Sequence, residues 1–129
     1  MRVVFDTNIF VSALVFPGGQ AEAAQRVIRG RDHLLVSKAI ISELVDVLGR
    51  KFARDPEELS RAALFVADLG EILEPTRRVT MLPDERDNRV LECALAGAAD
   101  IVVTGDREML ALGALEGVRV VTLREYLQS

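Results

Sequence analysis

The sequence of 129 residues contains one cysteine, one histidine, one tyrosine and no tryptophan. A lone Cys93 cannot close an internal disulfide, which excludes a disulfide-stapled scaffold and fits a reducing compartment. Ser37 and Ser42 have no histidine placed for a catalytic triad, so nucleophilic serine chemistry is not expected. Five phenylalanines and a single tyrosine are too few for a platform that stacks single-stranded bases. No apolar run reaches the length that crosses a bilayer. The opening run MRVVFDTNIF meets an acid at Asp6 and lacks a signal-peptide cleavage pattern. The expected location is therefore the cytoplasm, with no membrane partner. Net positive charge is also missing: 20 acidic residues outnumber 16 basic ones for a formal net charge of −4, which argues against gripping a polyanion through bulk basicity. The pair Gly18-Gly19 has no phosphate-loop pattern around it.

What is present is apolar and ordered. Half the residues are hydrophobic and 28% are charged, the balance of a folded globular chain. The length suits one domain over residues 1–129, with no internal repeat or long linker. Short apolar runs at 2–5 (RVVF), 34–36 (LLV), 71–73 (EIL), 101–103 (IVV) and 118–121 (VRVV) read as strands. Helical stretches separate them. One starts near Thr7 and stops at Pro17-Gly18-Gly19. Others cover about 20–30, ended by Gly30, about 38–52, and 56–70 with Asp55 as N-cap and Pro56 at the first helical position. A further helix covers about 85–98 behind Asp84, a short one begins at Asp106, and a last turn closes the chain. Strands alternating with helices imply right-handed crossovers. The expected fold is therefore α/β, three layers with a mostly parallel central sheet of four to five strands.

Such sheets bind ligands at the carboxyl ends of their strands, and two acids stand at such ends. Asp6 directly follows the first strand, and Asp106 follows IVV after Thr104-Gly105. Glu43 falls on the border of the apolar stripe Ile41, Leu44, Val45, Leu48 and Phe52, whereas Asp46 points nearly opposite, toward solvent. Asp87 continues the apolar face formed by Val90, Leu91, Ala94 and Leu95. Each acid also has a plainer role open to it. Asp6 and Asp106 suit helix N-caps, Glu43 a stripe border, and Asp87 a partner for the helix dipole. If the fold brings the four acids to one edge, they form an all-oxygen donor set suited to Mg²⁺ or Mn²⁺ rather than zinc. Hard divalent ions on carboxylates suit phosphoryl chemistry and screen the acids from a substrate phosphate.

The segments VVFDTNIFVSAL, VSKAIISELVDVL, LPDERDNRVLECALAGAADIVVTGDREML and VRVVTLREYL together resemble the PIN-domain family. The resemblance is strongest to its bacterial and archaeal members that are toxins of toxin–antitoxin systems. It implies an endoribonuclease that depends on Mg²⁺ or Mn²⁺, with Asp6, Glu43, Asp87 and Asp106 as the metal-binding and catalytic acids. Asp84 matches a further acid of the family, ranked below Asp87, and Asn8 and Thr104 match positions that support the site through hydrogen bonds. The expected partners are an RNA substrate, an antitoxin protein and a second copy of the chain in a homodimer or higher homo-oligomer.

Other residues carry less. His33 reads as a surface loop residue and Cys93 as core. Arg50, Lys51 and Arg54, or Arg26, Arg29 and Arg31, could touch RNA phosphates, but solvated charged faces explain both sets. Two alternatives to the nuclease stand beside it. One is a non-catalytic module that binds RNA or protein. The other is a phosphoryl-transfer enzyme, which the run Asp6-Thr7-Asn8 disfavours, since a two-aspartate phosphatase wants a second acid there. A receiver-like switch would want a lysine after the late strand, where the chain has Thr104-Gly105-Asp106-Arg107.

Overall fold

The computed structural model describes residues 1–16 and 19–129. Its elements, in order, are β1 (Arg2–Phe5), α1 (Thr7–Val15), α2 (Gly19–Ile28), β2 (His33–Ser37), α3 (Lys38–Phe52), α4 (Pro56–Leu69), β3 (Glu71–Leu73), α5 (Glu85–Ala96), β4 (Ile101–Val103), α6 (Arg107–Leu112), β5 (Ala114–Leu115), β6 (Val118–Val121) and α7 (Leu123–Leu127). The strands form one sheet in the order β3-β2-β1-β4-β6-β5. Every pairing is parallel except β5 with β6.

Val4 pairs with Leu35 on one side and Val102 on the other, so β1 and β4 lie side by side at the centre. Side chains along a strand alternate between faces, yet Val3, Val4 and Phe5 are all buried, as are Leu34, Leu35 and Val36 and Ile101, Val102 and Val103. Consecutive burial of this kind means that both faces of the sheet are covered, as expected for parallel strands flanked by helices. Ile40, Leu44 and Leu48 of α3 and Val90, Leu91 and Ala94 of α5 supply part of that cover. Cys93 lies in the same core, where burial pushes its thiol up to about 12 and leaves it unreactive.

Helix starts follow their side chains. Asp55 accepts from the Glu58 amide at 2.8 Å while Glu58 reaches back to the Asp55 amide, a complete capping box with Pro56 in the first turn. Ser37 caps α3 by accepting from the Ile40 amide, and Asp84 caps α5.

Three details differ from the sequence-based expectation. The sheet has six strands, because the two-residue β5 folds back on β6 through Glu116 and Gly117, both at positive φ. His33 is the first residue of β2 rather than a loop residue; it is exposed, with Nε2 at 2.7 Å from Glu71 Oε1. Helix α5 stops at Ala96, two residues early. Of the expected breaker Pro17-Gly18-Gly19, the first two residues lie outside the described residues and Gly19 opens α2. Among the described residues, no helix is long and apolar enough to cross a membrane.

Candidate metal centre

Asp6 and Asp106 stand at the carboxyl ends of the two central strands, and the structure uses them differently. Asp6 sits at the N-cap position of α1 with extended backbone, but its side chain makes no capping bond. Instead its Oδ2 accepts a 2.7 Å hydrogen bond from the hydroxyl of Thr104, which is fully buried. The Asp6 amide donates to the Val103 carbonyl at 2.9 Å, so the ends of β1 and β4 are laced together beneath the carboxylate. Asp106 is a true cap: its Oδ1 accepts from the Glu108 amide at 2.8 Å and the Met109 amide at 3.3 Å. Thr104 joins the two acids, since its hydroxyl also accepts from the Asp106 amide at 3.0 Å.

Asp87 comes from the first turn of α5 and is buried there. Burial raises its pKa first, then a hydrogen bond with Asp106 and the negative charges of Asp106, Asp6 and Asp84, which together push it up to about 8. Burial also opposes ionisation of Asp106, but the bond from Asp87 and the two helix amides outweigh it and hold that carboxyl below its ordinary value. The two carboxyls therefore titrate as a pair, with Asp87 pushed up and Asp106 held down. Asp6 is raised as well, mainly by burial, with Thr104 and the Thr7 amide opposing and Asp106 and Glu43 adding.

Glu43 projects from α3 with its side chain 15% exposed, and its Oε1 lies 2.9 Å from Arg86 Nη1. Asp84 accepts the Arg86 amide at 2.9 Å as the N-cap of α5. All five acids, Asp6, Glu43, Asp84, Asp87 and Asp106, line one cleft of about 190 Å³, together with Asn8, Lys51 and Arg86. Asn8 is exposed in that cleft. Among the described residues, its side chain makes no hydrogen bond to the acids.

The acids of the cleft are chemically suited to a hard divalent cation. They offer carboxylate oxygens with no histidine or cysteine beside them, and two of those carboxyls resist ionisation because burial and neighbouring negative charge penalise it, a penalty that a cation would relieve. The acids do not form a closed cage. Among the described residues, no three metal-binding side chains stand close enough to share an ion; Glu43 is engaged by Arg86 and Asp106 caps its own helix.

Sequence reasoning passed over two buried polar residues of α5. Asn88 is fully buried and clamps Leu82 from both sides, accepting from its amide at 3.0 Å and donating to its carbonyl at 2.9 Å. Glu92 is buried, accepts the Val79 amide at 2.8 Å and lies 2.8 Å from Arg89. Both fix the segment that delivers Asp84 and Asp87. Polar residues one turn apart on the apolar face of α5 were the available signal. The basic sets also resolve: Arg50 pairs with Asp46 and Arg54 with Glu58, while Arg26 and Arg31 bond carbonyls near the C-terminus. Lys51 alone of those six lines the cleft. A larger hollow of about 420 Å³ lies at the opposite edge of the sheet, around the Arg77–Glu116 ion pair, and gathers none of these acids.

The chain is 25% identical over 117 residues to the uncharacterized protein MJ1680 of Methanocaldococcus jannaschii, covering 87% of this chain and 75% of that protein. Its fold is similar to that in the crystal structure of VapBC2 from Rickettsia felis bound to a DNA fragment from their promoter, with TM-score 0.69 and 15% identity over 95% of this chain and 98% of that one. It is also similar to VapBC-1 from nontypeable Haemophilus influenzae, with TM-score 0.63 and 16% identity over 96% and 99% of the two chains. PAE2754 from Pyrobaculum aerophilum gives TM-score 0.64 and 18% identity over 99% and 88%. The family model for the PIN domain matches residues 2–108, a span that contains every acid of the cleft, and the chain belongs to the PIN domain family.

Proposed function

We propose that the chain is a divalent-metal-dependent endoribonuclease that hydrolyses phosphodiester bonds and is the toxin of a toxin–antitoxin pair. The observation that carries the reading is the convergence of five carboxylates, from the ends of two strands and from two helices, on one small cleft. Asp6, Glu43, Asp87 and Asp106 are the residues to hold Mg²⁺ or Mn²⁺, with Asp84 at the rim. A bound ion of this kind supplies an activated water and neutralises charge developing on the phosphate. Thr104 fixes the orientation of Asp6 by donating to its Oδ2. Asp87 would have to be ionised to hold a cation, because only the carboxylate binds one well. Asn8 lines the same cleft and is the second supporting residue of this reading.

The partner assignments follow the same reading. The relatives from Rickettsia felis and Haemophilus influenzae are VapBC proteins, which supports an antitoxin as the regulating partner here. RNA is the proposed substrate, a homodimer or higher homo-oligomer the proposed assembly and the cytoplasm the proposed location. Asp6→Asn keeps the shape and the Thr104 contact while removing the charge. With Mn²⁺ present, this variant is expected to lose cleavage of total RNA by at least about 100-fold while its circular dichroism spectrum stays that of the parent. Undiminished cleavage by the variant, or parent cleavage that survives chelation by EDTA, would overturn the mechanism.

A further inference from the structure

Arg86 is the one arginine that lines the acid cleft among the described residues. It stands in the first turn of α5, between Asp84 and Asp87. Its guanidinium reaches across to α3, where Nη1 is 2.9 Å from Glu43 Oε1, while Nε stays 3.7 Å from Asp84 Oδ1. The two partners are unequally placed. Glu43 is 15% exposed, whereas Arg86 is 55% exposed, so the arginine arm lies over the mouth and the carboxylate beneath it. The oxygens that Arg86 holds therefore belong to an acid the nuclease reading assigns to the metal. A guanidinium and a divalent ion cannot share the same oxygens closely, because both are cations. A divalent ion would carry twice the charge and would also be drawn by Asp6, Asp87 and Asp106, whereas Arg86 is held by Glu43 and Asp84, with Asp46 adding a weaker attraction.

We propose that Arg86 is the residue that binds the substrate phosphate, and that it exchanges partners: it holds Glu43 until a cation takes that carboxylate, and its freed guanidinium then engages the phosphodiester. Asp84 keeps the arm at the mouth during the exchange. The planar fork of an arginine matches two phosphate oxygens at once, which a lysine cannot reproduce. Lys51 lies on the same face of α3 as Glu43 and Val47, about 12 Å from Glu43 along the helix axis. It is thus placed for a flanking phosphate rather than the one at the acids. The inference rests on the proposed nuclease reading and assigns the substrate contact of that same cleft.

The test compares the parent chain with Arg86→Gln and Arg86→Lys. Calorimetric titration with Mn²⁺ alone is expected to show roughly three- to tenfold tighter binding in Arg86→Gln, because a competing cation is gone. Cleavage of a single-stranded oligoribonucleotide is expected to show KM raised about tenfold with kcat changed less than about threefold, and Arg86→Lys is expected to recover part of that loss. Unchanged or weaker Mn²⁺ binding by Arg86→Gln overturns the exchange, and an unchanged KM overturns the phosphate contact, both while the nuclease reading stands. If the parent binds Mn²⁺ but cuts no RNA, the nuclease reading and the phosphate contact both fall, and the calorimetric comparison still decides the competition for Glu43.

Discussion

Asp87 lies in the first turn of α5, where a negative charge suits the helix dipole, and also on the face of that helix that is buried. Burial and three nearby acids dominate, so the fold keeps a proton on this carboxyl up to about pH 8, whereas its ordinary pKa is 3.8. Between those values the folded chain holds a proton that the unfolded chain has lost. Stability therefore falls as pH rises through that window. Without divalent metal, the melting temperature is expected to be lower at pH 8 than at pH 5, and Asp87→Asn should flatten most of that slope. Asp6, also raised, contributes in the same direction and leaves a remainder. Mn²⁺ competes with the proton, so it should raise the melting temperature more at pH 8 than at pH 5. A melting temperature that climbs from pH 5 to pH 8 in EDTA would show that the buried carboxyl is not protonated as described.

Helix α4 shows how far a single element is set by its own sequence. Asp55, Pro56 and Glu58 specify its start, and the structure closes both bonds of the capping box. Asp55→Ala is expected to cost about 1 kcal/mol in urea denaturation and to leave cleavage unchanged, since the cap stands apart from the acid cleft. The central strands were legible for a similar reason: runs such as VVF and IVV are apolar on both faces, which suits a sheet covered on both sides. The strand β5 was not, because Ala114-Leu115 carries no periodicity and pairs with β6 only after Glu116 and Gly117 reverse the chain. The helical phase put Glu43 at the edge of its stripe and Asp87 on a buried face, but not the contacts that those positions allow. Asp6 and Asp106 look alike in sequence, each an acid ahead of a helix. Only the pairing of β1 with β4 brings Thr104 to Asp6 and leaves Asp106 to cap α6. Arg86 was invisible as a partner of Glu43 because 43 residues separate them along the chain.

Across the whole molecule the sheet has two working edges. The carboxyl ends of β1 and β4 carry the acids, and the amino ends carry a clasp that holds the fold together. In that clasp Tyr126, from α7, is 1% exposed, and its hydroxyl donates to Asp32 Oδ2 at 2.6 Å, just ahead of β2. Its ring meets Phe5 edge to face with centroids 5.8 Å apart, and the guanidinium of Arg26 lies 5.2 Å from its centre. The same arginine donates to the carbonyls of Tyr126 and Leu127, which fixes α7 against α2. Removing the hydroxyl alone leaves the ring packing intact but strips the buried Asp32 of a donor, and an under-satisfied buried charge is costly. Tyr126→Phe is expected to lose about 1–3 kcal/mol in urea denaturation. Its metal affinity and its cleavage rate, measured well below the melting temperature, should match the parent because Tyr126, Asp32, Phe5 and Arg26 do not line the cleft. Loss of cleavage in a variant that is still fully folded would mean that the two edges are coupled through the central strands, and the separation of stability from chemistry across this sheet would have to be given up.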